Sequence, residues 1–129
     1  MIKIVNISNK NLVKFKKEKV IKFLKKKMVN FENLSFKNSR FFLSLNDEDF
    51  KILKKKFKKD VHFLKKCTNI SLIGKRLNSS SNYIDIFLFL VKNKMEIVDF
   101  FSTEYKVFFS IRKKKIMKLV DFIRKTYKI

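Results

Sequence analysis

The sequence predicts an α+β fold of two similar units, each an antiparallel sheet with helices on one face. Three observations predict it. Short β-branched or alternating stretches and longer stretches of helical period follow one another as β-α-β-β-α, and that order occurs twice. The 129 residues hold no Pro and one Gly, so nothing reads as a flexible linker between the halves. Finally, 46% of the residues are hydrophobic, enough for a core. Each half, at about 60 residues, is marginal by itself, so the halves are expected to pack on each other or on another copy.

The elements follow in order. Ile2 to Ile7 is short and β-branched, a strand. Leu12 to Phe15 admits two readings, a second short strand or the start of a helix. From Glu18 to Lys27, Val20, Ile21, Phe23 and Leu24 share one helical face and lysines the other. Val29 and Phe31, alternating with Asn30 and Glu32, read as a strand. Asn38-Ser39 makes a turn into a second strand, Arg40 to Leu45. Asn46 then caps a helix whose first turn is acidic (Asp47, Glu48, Asp49), where negative charge suits the exposed N–H groups. Phe50, Leu53 and Phe57 continue it at helical spacing, and a lysine run closes it.

The second half repeats the scheme. Ile70 to Ile73 is a strand ending at Gly74, where a strand-to-loop turn is expected to need positive φ. The polar loop 78–82 leads into a helix from Tyr83 to about Asn93. Met95 to Phe101 is a strand. Tyr105, Val107, Phe109 and Ile111 alternate with Lys106, Phe108, Ser110 and Arg112, which predicts a strand with the first set facing the helices. Ile116, Val120, Ile123 and Tyr127 form one stripe of a last helix, Lys113 to Tyr127. Units of this order make split βαβ, ferredoxin-like layers.

The charge balance is 33 Lys+Arg against 11 Asp+Glu, a formal net charge of +22. Such a balance suggests phosphate partners, through counterion release. Yet only four of the cations are Arg (Arg40, Arg76, Arg112, Arg124), and bidentate base and phosphate readers favour Arg. The whole composition is rich in Lys, Asn, Ile and Phe and lacks Ala and Pro, the bias of AT-rich codons. We read the lysines first as drift, with nucleic acid bound only non-specifically. The lysine runs at 54–59 and 113–115 read as solvated helix faces.

Several classes are excluded. A single Gly cannot build a Gly-rich phosphate loop, and one Cys with one His cannot build a zinc site or a disulfide framework. No cofactor, metal or catalytic residue is expected. His62 and Cys67 flank a lysine pair without an orienting third group, so a surface His and a packed Cys are expected rather than a nucleophilic pair. The longest apolar run, Ile86 to Val91, is too short to span a bilayer. The opening MIKIVNISNK lacks the marks of a signal peptide, and the expectation is a cytoplasmic protein without membrane contact.

Four segments in register resemble one family, the tandem ACT regions at the C-terminal end of aspartate kinases. Ile70-Ser71-Leu72-Ile73-Gly74 is similar to the family's VSLVG. Met95 to Ile111 is similar to VNIELISTSEIKISVLI, with Ser102, Thr103, Glu104 and Lys106 on their counterparts. Val29 to Leu34 resembles INVDMI, and Asn9 to Lys14 resembles the start of DKNLAKV. The resemblance implies two ferredoxin-like βαββαβ ACT units: a degenerate first unit over 9–60 and a second over 61–129 completed by strand 2–7. It implies Asn30, Ser102, Thr103 and Glu104 as effector-binding residues and Gly74 as a structural turn.

Function follows from the resemblance as an expectation: a regulatory or assembly subunit of aspartate kinase, resembling the small β subunit that some of these enzymes make separately. Its partners would be a separate catalytic chain, another copy of itself, and lysine or threonine as effector. Two departures weaken the effector site. The family's DKPG turn is replaced by Lys16-Lys17-Glu18-Lys19, several residues shorter, and its HPG by Ser80-Ser81-Asn82. The alternative reading is a basic RNA-binding or ribosome-associated protein of ferredoxin-like fold, stacking bases on sheet aromatics. Against that alternative, Tyr105 and Phe109 are expected on the face that meets the helices.

Overall fold

A computed structural model describes residues 2–27, 29, 31–77, 82–112 and 116–129. Among them run ten elements: β1 (Lys3–Phe15), α1 (Glu18–Lys27), β2 (Glu32–Lys37), β3 (Arg40–Leu45), α2 (Asp47–Lys56), β4 (Val61–Ile73), α3 (Asn82–Lys92), β5 (Ile97–Ser102), β6 (Lys106–Arg112) and α4 (Ile116–Tyr127). The strands form an antiparallel sheet in the order β2-β3-β1-β4-β6-β5. The chain divides into two compact units, Lys10–Lys66 and Met1–Asn9 with Cys67–Ile129, so the divisions fall within the two long strands, β1 and β4.

The unit Lys10–Lys66 reads βαββαβ in chain order, from the second half of β1 to the first residues of β4. β1 pairs with β3 from Asn11↔Leu45 to Phe15↔Phe41, which turns Val13, Phe15, Leu43 and Leu45 into one core with Val20 and Leu24 of α1 and Leu53 of α2. The hairpin between β2 and β3 closes on Asn38 and Ser39, both at positive φ (51° and 60°), the pair a type I′ turn needs to match strand twist. Asn46 caps α2 by accepting from the Asp49 N–H at 2.8 Å.

The unit Met1–Asn9 with Cys67–Ile129 contains the later part of β4, then α3, β5, β6 and α4, with the start of β1 hydrogen-bonded beside β4. Its core joins Ile70 and Leu72 of β4, Val107, Phe109 and Ile111 of β6, Ile86 and Leu90 of α3, and Leu119 and Ile123 of α4. Ile2 and Ile4 pack against it. Across the register pair Asn69↔Ser110, the Ser110 hydroxyl donates to Asn69 Oδ1 at 2.7 Å, which satisfies two polar groups that are otherwise buried.

Several expectations are corrected. Of the two readings for Leu12 to Phe15 the strand holds, but it is continuous with Ile2 to Ile7 in β1, apart from Ile2 itself, and not a second short strand. The strand expected from Val29 begins at Glu32. β4 starts at Val61, nine residues before Ile70; the sequence does not reveal this start because Val61–Lys66 mixes buried and exposed positions without clean alternation. β6 is buried on both faces: Phe108 and Ser110 are as hidden as Val107, Phe109 and Ile111, and Phe108 stacks on Phe101 at 5.0 Å. Tyr105 precedes β6 and is 58% exposed, so it does not join the helix-facing set. Nor does Gly74 adopt positive φ; its reason lies in close approach, not in turn geometry. The expectations for 78–81 and 113–115 lie outside the described residues.

Candidate functional site

Ser102 is the last residue of β5, and Thr103 and Glu104 lie in the turn from it into β6. Thr103 N–H donates to the Lys106 carbonyl at 2.7 Å, and its hydroxyl oxygen accepts from the Tyr105 and Lys106 N–H groups at 3.3 and 3.1 Å. The Leu77 N–H donates to the Glu104 carbonyl at 2.8 Å, and Gly74 N–H to that of Tyr105 at 3.0 Å. The turn is thereby tied to the segment that follows β4. The Thr103 hydroxyl closes its own turn, and Glu104 leaves its carboxylate in solvent. Asn30 lies outside the described residues.

In the unit Lys10–Lys66, the connection from β1 to α1 is just Lys16-Lys17, without glycine. Antiparallel pairing brings the start of β3 to one side of this connection, through Phe15↔Phe41. A cleft of about 170 Å³ opens there. Five cationic side chains line it: Lys14, Lys16, Lys17, Arg40 and Lys59. Its carboxylate, Asp60, is held by Lys17 at 3.1 Å and Lys19 at 3.0 Å. Hydrogen bonds from Lys19, then Lys17, lower the Asp60 pKa below its ordinary 3.8. His62 completes the wall and is exposed.

Sequence reasoning found the replaced loop but not Arg40, Lys59 and His62 as its neighbours. They are 26 to 48 residues away from Lys14 in sequence, and only the strand register brings them to it. Elsewhere in the unit, Asp47 accepts from Asn11 Nδ2 at 2.8 Å and pairs with Lys66 at 3.3 Å, and both contacts lower its pKa. Cys67 is buried, and its thiol donates to Asn69 Oδ1 at 3.7 Å. No group of three or more potential metal-ligating side chains is present among the described residues, and no helix among them is long and apolar enough to cross a membrane.

No protein-family model matches the sequence, and no curated protein matches it. Solved structures do. The ligand-free regulatory subunit of aspartate kinase from Thermus thermophilus superposes with a TM-score of 0.77 at 8% identity, covering 98% of this chain and 97% of that one. The fold is that of aspartate kinase regulatory chains. A structure of aspartokinase alpha and beta subunits matches with a TM-score of 0.75 at 11% identity, over 99% of this chain and 97% of that one. Clostridium acetobutylicum aspartate kinase matches at 0.73 and 16% identity over 96% of this chain, which spans about a third (34%) of that enzyme. At these identities the likeness is one of fold, with few residues in common.

Proposed function

We propose that this chain is a non-catalytic, regulatory or assembly part of an aspartate kinase, acting in the cytoplasm in synthesis of the aspartate-derived amino acids lysine, threonine and methionine. One observation carries the proposal: near-complete mutual coverage, 98% and 97%, with the Thermus thermophilus regulatory subunit. Regulation in such a chain is a differential effect, since an effector or partner must favour one arrangement of the ACT units over another. The two-residue, glycine-free connection at Lys16-Lys17 supports weakened amino-acid binding, because backbone N–H groups have no close approach to a ligand carboxylate there.

Assembly is supported by α3. Its inner face buries Ile86 and Leu90, while Ile84, Phe87, Leu88 and Val91 form an exposed apolar stripe at helical spacing. Such a stripe suits cover by another chain, the kinase or a second copy. The test is affinity capture of the tagged chain from its native cells, with mass spectrometry and an aspartate kinase assay. An aspartate kinase catalytic chain in the eluate, with activity that the isolated protein lacks, is the expected result. Capture of ribosomal proteins and RNA in place of a kinase would overturn it.

A further inference from the structure

The lysine-lined cleft at the end of β1 holds more positive charge than the protein neutralises. Asp60, the carboxylate in its wall, already has one oxygen on Lys17 and the other on Lys19. Lys14, Lys16, Arg40 and Lys59 line the same 170 Å³ without a carboxylate of their own among the described residues. Like charges around so small a space repel one another, and an anion carrying several charges relieves that repulsion at each of them. A free amino acid does so poorly, because its ammonium group enters the same cations' field. We propose that the cleft binds a multiply charged phosphate group. Phosphate oxygens accept from several donors at once, Arg40 offers a planar fork and the lysines offer point charges around it. The space admits several waters' worth of ligand, enough for a short chain of phosphate groups and too little for a folded polymer. Two sources share this chemistry, a small phosphate compound and the backbone of a nucleic acid. The inference does not depend on the kinase reading.

Calorimetric titration of inorganic tripolyphosphate into the full chain at moderate salt tests it, with succinate and a short single-stranded oligonucleotide as parallel arms. We expect one-to-one binding of tripolyphosphate that weakens about tenfold in Arg40→Gln/Lys59→Gln. Lys25→Gln/Lys26→Gln removes equal charge from exposed positions at the end of α1, away from the cleft, and should leave it unchanged. His62 is the chain's one histidine, so its imidazole resonances report occupancy of the cleft directly and should move on saturation. Tighter binding of the oligonucleotide, with the same loss in the Arg40/Lys59 variant, identifies nucleic-acid phosphate as the source; its absence identifies a small phosphate compound. Equal losses in the two double variants, stationary His62 resonances, or succinate binding as tightly as tripolyphosphate would each overturn the proposal. Thermal unfolding of both variants checks that the fold is retained.

Discussion

A β-carbon on Gly74 would lie 2.8 Å from Cγ1 of Ile2 and 3.4 Å from its Cα. The backbone at the end of β4 therefore runs against the residue that precedes β1, with no room for a side chain between them. On the same residue, the N–H is fixed to the Tyr105 carbonyl. Gly74 is thus the point where the N-terminal strand and the β5–β6 turn meet the end of β4. Its one missing methyl group lets Ile2 reach the core that Ile70 and Leu72 help to form.

Gly74→Ala is expected to destabilise the protein by about 1–3 kcal/mol, the range for overpacking a filled site. Because the nearest clash is with the Ile2 side chain, Ile2→Ala should recover part of that loss in the double variant. Urea unfolding of the parent, both single variants and the pair gives the coupling. A Gly74→Ala protein as stable as the parent would show that Ile2 simply moves aside.

Asn46→Ala removes the oxygen that accepts from the Asp49 N–H and leaves that donor to solvent. The expected cost is about 1 kcal/mol, with Asn46→Asp close to the parent. Denaturant midpoints check both, and a neutral Asn46→Ala would mean that the acidic first turn suffices to hold α2.

The Asp60 carboxylate has its pKa lowered by the hydrogen bonds from Lys19 and Lys17. A carboxylate more acidic in the folded than in the unfolded chain adds stability above its unfolded value, near 3.8, and that stability is lost as pH falls through the lower folded value. Asp60→Asn should therefore be less stable than the parent near neutral pH and converge with it in acid below 3.8. High salt should narrow the neutral-pH gap, since both lysines are exposed. A gap that persists unchanged into acid would assign the effect to packing.

How much of this was readable beforehand depends on whether neighbours in sequence are neighbours in space. Asn46 with its acidic turn and the Asn38-Ser39 hairpin are local devices, and both stand where the sequence places them. The regulatory fold itself was legible through four motifs in register. Val61–Lys66 escaped notice because its buried and exposed positions do not alternate, and Phe108 and Ser110 because both faces of β6 are covered. Gly74 was rightly singled out for the wrong reason, since the atoms it avoids belong to a residue 72 positions earlier. The cleft was invisible for the same cause: Lys14, Arg40, Lys59 and His62 meet only through strand pairing.

Leu88 is 57% exposed at the middle of the α3 stripe, while its neighbours Ile86 and Leu90 are fully buried. Leu88→Asp should leave the melting temperature nearly unchanged and shift the protein toward the monomer, or release a bound catalytic chain. The physical ground is that a charge in a covered apolar patch loses its hydration, whereas in water it costs nothing. Sedimentation velocity of parent and variant at moderate salt decides this, and identical distributions would remove α3 from any interface.

Lysine and threonine should bind the isolated chain more weakly than 1 mM. Millimolar affinity needs about 4 kcal/mol of net binding free energy. Exposed ion pairs give about 0–1 kcal/mol each, and at Lys16-Lys17 one lysine that meets the ligand's carboxylate stands beside another that repels its ammonium. No glycine lets backbone N–H groups come close instead, and the two-residue connection is too short to fold over a ligand. Thr103 and Glu104 add little, because the Thr103 hydroxyl already closes its own turn. Calorimetric titration of each amino acid, alone and with the captured kinase chain, is the measurement. Saturable binding of either below 1 mM by the isolated chain would contradict the weakened site, and its loss in Glu104→Ala would then locate binding at the β5–β6 turn.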